Sequence, residues 1–145
     1  MSKLLLGTLT VGIIAVLSAF ILKNEEMPSR IEPTGGGRVS VSVPRIDFGN
    51  IEQSKGPVSA TVEIRNDGDG ALEIYRVSTS CGCTTADMDQ SPIASGASRP
   101  LIIQFDPLVH PDESGPITRV VYLQSSDPEK PEVEIEIVGN VIPKL

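Results

Sequence analysis

Apolar and polar residues alternate with a period of two along much of the chain after residue 38. The clearest alternating runs are residues 39–43, 58–64, 101–105 and 133–137. Because successive side chains of a β-strand point to opposite faces, these runs predict strands with one face on a core and the other in water. Residues 72–77 and 117–124 are also strand-like, although their pattern is less regular.

Turn-forming residues separate the predicted strands. Residues 66–70 (Asn-Asp-Gly-Asp-Gly) supply side chains that tolerate positive φ between two short strands, and residues 126–131 form a second strong break. Proline and glycine mark two longer loops, residues 84–100 and 108–116. The strand number and spacing, without a helical period, predict an all-β, Ig-like antiparallel β-sandwich of about seven strands.

The first 23 residues have a different pattern. Residues 4–22 are all uncharged, and as a helix they would extend about 28 Å, close to the hydrocarbon thickness of a bilayer. We predict a transmembrane helix anchored by its large apolar side chains, which are Leu4, Leu5, Leu6, Ile13, Ile14, Val16, Leu17, Phe20, Ile21 and Leu22. A cleaved signal peptide is the alternative, although the run is long for one and ends without a small-x-small cleavage site.

This helix defines a predicted organisation and address. It comprises a transmembrane signal-anchor helix (residues 1–23), a flexible linker rich in proline and glycine (residues 24–37) and an Ig-like β-sandwich domain (residues 38–145). Lys3 and the terminal amine favour a cytoplasmic N-terminus. We therefore expect a single-pass protein of the cytoplasmic (inner) membrane whose C-terminal domain is extracytoplasmic.

The charge of the chain excludes one class of function. The formal net charge is −7, and residues 36–145 carry all of it, with nine Lys/Arg against sixteen Asp/Glu. An acidic domain without a basic stripe is repelled by phosphates, so nucleic-acid binding is excluded. Ser80 and Ser95 have no identifiable base partner, and no phosphate-binding loop or EF-hand spacing is present. We therefore expect neither an enzyme nor a cofactor.

Six short motifs occur in the order of a known family. They lie at residues 46–51 (Ile-Asp-Phe-Gly-Asn-Ile), 64–69, 80–84 (Ser-Cys-Gly-Cys-Thr), 105–107, 126–128 and 138–141. Together they resemble the bacterial "domain of unknown function" family numbered 1573, which is similar to Hydin-type and major-sperm-protein-like Ig folds. The resemblance covers about residues 39–141 and implies an Ig-like fold and an extracytoplasmic address, but no established activity.

The segment Cys81-Gly82-Cys83 is the one chemically distinctive feature. Alternate strand residues lie about 6.6–6.8 Å apart, at the upper limit for a disulfide, and Gly82 lets the backbone kink. Three interpretations stay open: a structural staple, a thiol redox pair, or a soft-metal site that binds copper(I). Met88 and His110 are possible accessory ligands if the fold brings them near.

The leading functional hypothesis is a membrane-anchored extracytoplasmic interaction or structural module without enzymatic activity. Its protein partner, in the periplasm or at the cell surface, would contact the loops at residues 84–100 and 108–116 or add a strand to a sheet edge. The alternative is a copper-binding or thiol redox protein that acts through Cys81 and Cys83.

Overall fold

The computed structural model describes residues 36–144, which form two four-stranded β-sheets packed face to face. The strands are β1 (Val39–Val41), β2 (Arg45–Glu52), β3 (Val58–Asn66), β4 (Ile74–Thr79), β5 (Thr84–Asp87), β6 (Ser98–Phe105), β7 (Gly115–Ser125) and β8 (Glu132–Ile142), with one 3-10 turn at Gln53–Lys55. The first sheet has the order β1-β3-β6-β5, and the second has the order β2-β8-β7-β4. The predicted all-β sandwich of two sheets is confirmed.

The core follows from the period-two alternation. The inward-facing positions of β3, β6, β7 and β8 are fully buried, and they are Val62, Ile64, Leu101, Ile103, Val121, Leu123, Ile135 and Ile137. Burying one such side chain contributes about 1.5–3 kcal/mol, so these positions supply most of the driving force for packing the sheets. The intervening residues of β3 and β6 face solvent.

Three details differ from the sequence prediction. There are eight strands rather than about seven, and two of them, β2 and β5, lie outside the segments that the sequence marked as strand-like. Residues 84–87 of the predicted 84–100 loop form β5, an edge strand paired with β6. The same predicted loop also overlaps the start of β6. Finally, the sandwich is not wholly antiparallel, since β2 pairs with β8 in parallel.

The parallel β2–β8 pair joins the first and last motifs of the chain. Its register shifts between Asp47 and Asn50, and the side-chain Nδ2 of Asn140 donates to the side-chain Oδ1 of Asn50 over 2.9 Å. Gly139 leaves room for the buried Ile51 side chain, because a Cβ atom there would lie 2.6 Å from Cδ1 of Ile51. The first and last motifs are therefore neighbours in the fold because the strands that carry them pair with each other.

The turn at residues 66–70 crosses between the sheets instead of closing a hairpin. Asn66 is fully buried, and its side-chain oxygen accepts hydrogen bonds from the backbone N–H groups of Arg38 (3.0 Å) and Gly68 (2.9 Å). None of the five residues adopts a positive φ, although their residue types tolerate it. Gly68 is needed for space, since a Cβ atom would lie 2.3 Å from the carbonyl oxygen of Gly36.

A buried carboxylate fixes the other predicted turn. Asp127 is 2% exposed and accepts hydrogen bonds from the backbone N–H groups of Val39 (2.8 Å), Glu129 (2.8 Å) and Lys130 (3.2 Å). Burial has the largest single effect on the pKa of Asp127 and raises it, but the three hydrogen bonds together hold this pKa below its ordinary value. Asp127 therefore ties β1 to the turn between β7 and β8.

The sandwich has two chemically distinct ends. Gly37 is buried, packs beside Leu72 and lies at the end where β3 finishes at Asn66, which we call the N-terminal end. Cys83 lies at the opposite end, where Val58 of β3 pairs with Phe105, and we call this the disulfide end. The predicted linker therefore has its last two residues, 36–37, packed against the domain.

No helix among residues 36–144 is both long and apolar enough to cross a bilayer. The predicted membrane helix, its anchoring side chains and the remainder of the predicted linker lie outside the described residues. The anchor and the address of the domain therefore stay predictions.

Candidate functional site

The Cys81-Gly82-Cys83 segment forms the turn by which the chain crosses from β4 in one sheet to β5 in the other. Cys81 and Cys83 are joined by a disulfide, with their Cα atoms 5.2 Å apart. The Thr79 hydroxyl lies 3.0 Å from the carbonyl oxygen of Cys81, and the Thr84 N–H donates to the same oxygen over 3.1 Å. These contacts fix the backbone on both sides of the disulfide.

The two sulfur atoms occupy different environments. Cys83 is 2% exposed and belongs to a small hydrophobic cluster at the disulfide end, formed with Ile51, Phe105, Ile117 and Val141. Cys81 is half-buried at the edge of the same cluster. A reagent arriving from solvent therefore reaches Cys81 Sγ before Cys83 Sγ.

A guanidinium group lies beside the buried sulfur. Arg119 Nε donates to Cys83 Sγ over 3.2 Å, and the guanidinium carbon lies 6.0 Å from the centre of the Phe105 ring. Arg119 also pairs with the Glu113 carboxylate, so its side chain is held on several sides. Sequence reasoning missed Arg119, although it is the only charged residue of β7 and stands within an otherwise uncharged strand.

The only histidine of the chain lies beside the more exposed sulfur. His110 Nε2 is 3.5 Å from Cys81 Sγ, and the candidate ligand atoms of Cys81, Cys83 and His110 all lie within 4.8 Å of one another. Met88, the other predicted accessory ligand, is buried in the larger core rather than in the cluster around Cys83. The structure therefore brings His110, but not Met88, to the cysteines.

A buried glutamine holds the loop that carries His110. We call residues 106–114 the His110 loop. Gln53 is 4% exposed, and its Nε2 lies within hydrogen-bond distance of three carbonyl oxygens of this loop, those of Pro107 (3.4 Å), Pro111 (3.0 Å) and Glu113 (3.2 Å). Its Oε1 accepts from the N–H of Lys144 over 3.0 Å. The 3-10 turn therefore fixes the position of His110 from a different part of the chain.

The tip of the His110 loop exposes two apolar side chains. Leu108 is 50% exposed and Val109 is 47% exposed. Both directly precede His110, which contacts the disulfide. The predicted contact loop at residues 108–116 lies here, and its last two residues begin β7. The disulfide, His110 and an apolar loop tip therefore share one end of the sandwich.

The donor atoms allow two kinds of chemistry. A reduced Cys81–Cys83 pair with His110 would offer two thiols and an imidazole, a donor set suited to soft cations such as copper(I). The Arg119 guanidinium at 3.2 Å from Cys83 Sγ opposes a cation at that sulfur and instead favours a thiolate. The electrostatics therefore favour thiol–disulfide chemistry over metal binding.

Residues 39–141 match the model of a protein family described as "Protein of unknown function (DUF1573)". A crystal structure of a protein of unknown function from Porphyromonas gingivalis W83 superposes with a TM-score of 0.65 at 28% identity, over 72% of this chain and 46% of that one. The chain thus spans less than half the length of that protein. A comparison with curated proteins gives no match.

Two more distant solved structures share the fold alone. The ASH/PapD-like domain 7 of human CEP192 superposes with a TM-score of 0.59 at 12% identity, over 76% of this chain and 89% of that domain. The periplasmic chaperone SfaE superposes with a TM-score of 0.51 at 10% identity, over 74% of this chain and 59% of the chaperone. These two likenesses show a shared β-sandwich fold.

Proposed function

The chain belongs to the family described as protein of unknown function (DUF1573), and we propose that it is a membrane-anchored, non-enzymatic interaction module. Its Ig-like domain would bind a protein partner outside the cytoplasm, in the periplasm or at the cell surface. The tip of the His110 loop, at Leu108 and Val109, is the contact surface that the geometry favours.

One observation carries this proposal: a loop of fixed backbone exposes two apolar side chains. Three carbonyl groups of the loop lie within hydrogen-bond distance of the buried Gln53 amide, so its conformation is largely set before any partner binds. Little conformational entropy is then lost on association, and burying Leu108 and Val109 becomes a net gain. Loops on rigid sandwiches commonly serve in binding for this reason.

The predicted membrane helix supports an extracytoplasmic address. A tether at the N-terminal end of the sandwich would leave the His110 loop at the other end free to meet a partner. The fold shared with a periplasmic chaperone is compatible with such an address. The acidic character of the domain, with a formal net charge of −7, supports a protein partner over an anionic lipid surface.

The contact surface can be tested in the full-length protein in its own membrane. A photo-activated cross-linking residue placed at Val109 should give an adduct of discrete mass with one protein. The matched control carries the same residue at Tyr75, which is 61% exposed on β4 toward the N-terminal end. Adduct formation at Val109 should fall at least fivefold in a Leu108→Ser background. Equal cross-linking from both positions, or none from Val109, would contradict the proposed surface.

The address can be tested separately by fractionation. We expect the uncleaved chain to stay in the membrane fraction after an alkaline carbonate wash, and its domain to be digested by protease added to spheroplasts. A shortened chain in the soluble periplasmic fraction would instead show a cleaved signal peptide. Protection from protease until the membrane is dissolved would show that the domain faces the cytoplasm.

A further inference from the structure

The Cys81–Cys83 disulfide is asymmetric in access. Cys83 is 2% exposed and enclosed by the small cluster, whereas Cys81 is half-buried at its edge. In thiol–disulfide exchange, a thiolate attacks one sulfur of the disulfide, and the other sulfur is the leaving group. Access alone therefore makes Cys81 the attacked atom and Cys83 the leaving group.

The leaving sulfur has a cation placed against it. Attack at Cys81 would put a negative charge on Cys83 Sγ inside an apolar cluster, which by itself is costly. The Nε–H group of Arg119 donates to this sulfur over 3.2 Å and would stabilise the thiolate. Because Arg119 is held by Glu113 and lies over Phe105, the guanidinium is in position before the bond breaks. A stabilised thiolate leaves faster and makes the disulfide more oxidising.

The attacked sulfur has a proton carrier beside it. His110 Nε2 lies 3.5 Å from Cys81 Sγ, and His110 is exposed at the surface. A thiol that approaches Cys81 from solvent therefore passes the imidazole, which can accept the thiol proton. The same nitrogen is within reach of Cys81 when that residue later leaves as a thiolate.

We propose that Cys81–Cys83 is a redox-active disulfide that exchanges with an external dithiol. The first thiolate of the dithiol attacks Cys81 Sγ, the Cys81–Cys83 bond breaks, and its electron pair passes to Cys83 Sγ beside Arg119. The second thiolate of the dithiol then attacks the mixed disulfide and releases Cys81 Sγ. The dithiol is oxidised to a disulfide by two electrons and gives up its two thiol protons. The cysteine pair takes up the two electrons and one proton, at Cys81, while Cys83 stays a thiolate beside Arg119 and the second proton passes to solvent. This stoichiometric exchange is independent of the proposed docking role.

The first test measures exchange in the full-length protein in detergent micelles. Reduction by dithiothreitol is followed by quenching with an alkylating reagent and intact-mass analysis, and the equilibrium is measured in glutathione redox buffers. Arg119→Gln should slow reduction at pH 7 about tenfold and lower the equilibrium constant for reduction about tenfold, which is about 30 mV. Arg119→Lys keeps the positive charge, so it should retain part of the wild-type reduction rate and part of the wild-type equilibrium constant. Arg76→Gln, which removes an exposed cation of β4, is the matched control and should leave both unchanged.

A second test assigns the attacked sulfur. Cys83→Ser retains Cys81 and should form a mixed disulfide with oxidised glutathione at least tenfold faster than Cys81→Ser, which retains the buried thiol. Equal rates for the two variants, or reduction kinetics unaffected by Arg119→Gln, would overturn the proposal. If the reduced wild type retains one copper(I) ion and Arg119→Gln leaves the reduction kinetics unchanged, the pair is a soft-metal site and not a redox-active disulfide.

The source of the dithiol is distinguished by the choice of probe. Reduced thioredoxin presents a protein dithiol, and dithiothreitol presents a small one. Faster exchange with thioredoxin at equal thiolate concentration would assign a protein reductant, and the reverse order would assign a small-molecule thiol. Exchange with neither probe would refute the proposed activity.

Discussion

Replacing Asp127 by asparagine tests how the buried carboxylate holds the turn between β7 and β8. Asparagine fits the same space, and its Oδ1 can keep the bonds from the Glu129 and Lys130 N–H groups. Its Nδ2, however, would meet the N–H of Val39 at 2.8 Å, so one donor faces another. The variant therefore loses a charge-assisted hydrogen bond and leaves a buried donor unpaired, which together cost about 3 kcal/mol. For a domain of this size, that loss lowers Tm by about 12 °C.

The assay is urea unfolding of residues 36–145 followed by far-ultraviolet circular dichroism at several pH values. The folded-state pKa of Asp127 lies below the unfolded value of about 3.9, so its stabilisation is complete above that pH. It is lost as the pH falls through the lower folded pKa. The difference between wild type and Asp127→Asn should therefore be largest near pH 7 and shrink below pH 4. Asp87→Asn, at an exposed position of β5, is the matched control. A difference under 0.5 kcal/mol at pH 7, or one that grows on acidification, would refute this reasoning.

Three further substitutions test other contacts. Gln53→Leu should cost about 1–3 kcal/mol, because it leaves the part-buried carbonyl oxygens of Pro111 and Glu113 without their amide donor. It should also raise hydrogen exchange across the His110 loop, and unchanged exchange there would contradict the role of Gln53. Gly68→Ala should cost at least about 1–3 kcal/mol in urea unfolding, because its Cβ meets backbone, whereas Gly82→Ala, with open space around it, should be neutral. Glu113→Gln should make the disulfide easier to reduce in glutathione buffers. The glutamine oxygen can still accept from the Arg119 guanidinium and keep it in place, but the negative charge that offsets Arg119 is removed. A harder reduction would contradict this.

The sequence predicted the parts of the fold that depend on local alternation. Val62 and Ile64 of β3, and Leu101 and Ile103 of β6, are buried as their spacing of two requires. The edge strand β5 was missed because Thr84–Asp87 has no apolar alternation and is stabilised by its pairing with β6. Short edge strands carry little signal of their own, since their neighbours supply most of their contacts.

Long-range pairing explains the other differences. Nothing in residues 45–52 distinguishes a parallel from an antiparallel partner, because the direction depends on where β8 lies in the sheet. In the turn at residues 66–70, the Asn-Asp-Gly-Asp-Gly composition tolerates positive φ but does not require it. The buried side chain of Asn66 instead accepts the backbone hydrogen bonds that close the turn, so ordinary φ values suffice.

The sequence singled out the cysteines and the histidine of the candidate site, but only the fold shows that Arg119 lies beside them. Cys81, Cys83 and His110 are rare, reactive residue types, so they stand out in any sequence. Arg119 lies 36 residues beyond Cys83, and its contact depends on the packing of β7 against the crossing turn. A lone charge in an otherwise uncharged strand was the available signal, and such a residue is worth examining as a partner for a nearby sulfur.

Gly37 and Cys83 lie near opposite ends of β3, so the point where the chain enters the domain is far from the disulfide. Nine residues of extended strand separate the two ends by about 27 Å. Any tether through residues before Gly37 therefore joins the domain at the end opposite the disulfide. A protein fused after Leu145 would begin next to Lys144, which bonds to Gln53 at the base of the His110 loop, so a fusion there is placed close to the proposed contact surface.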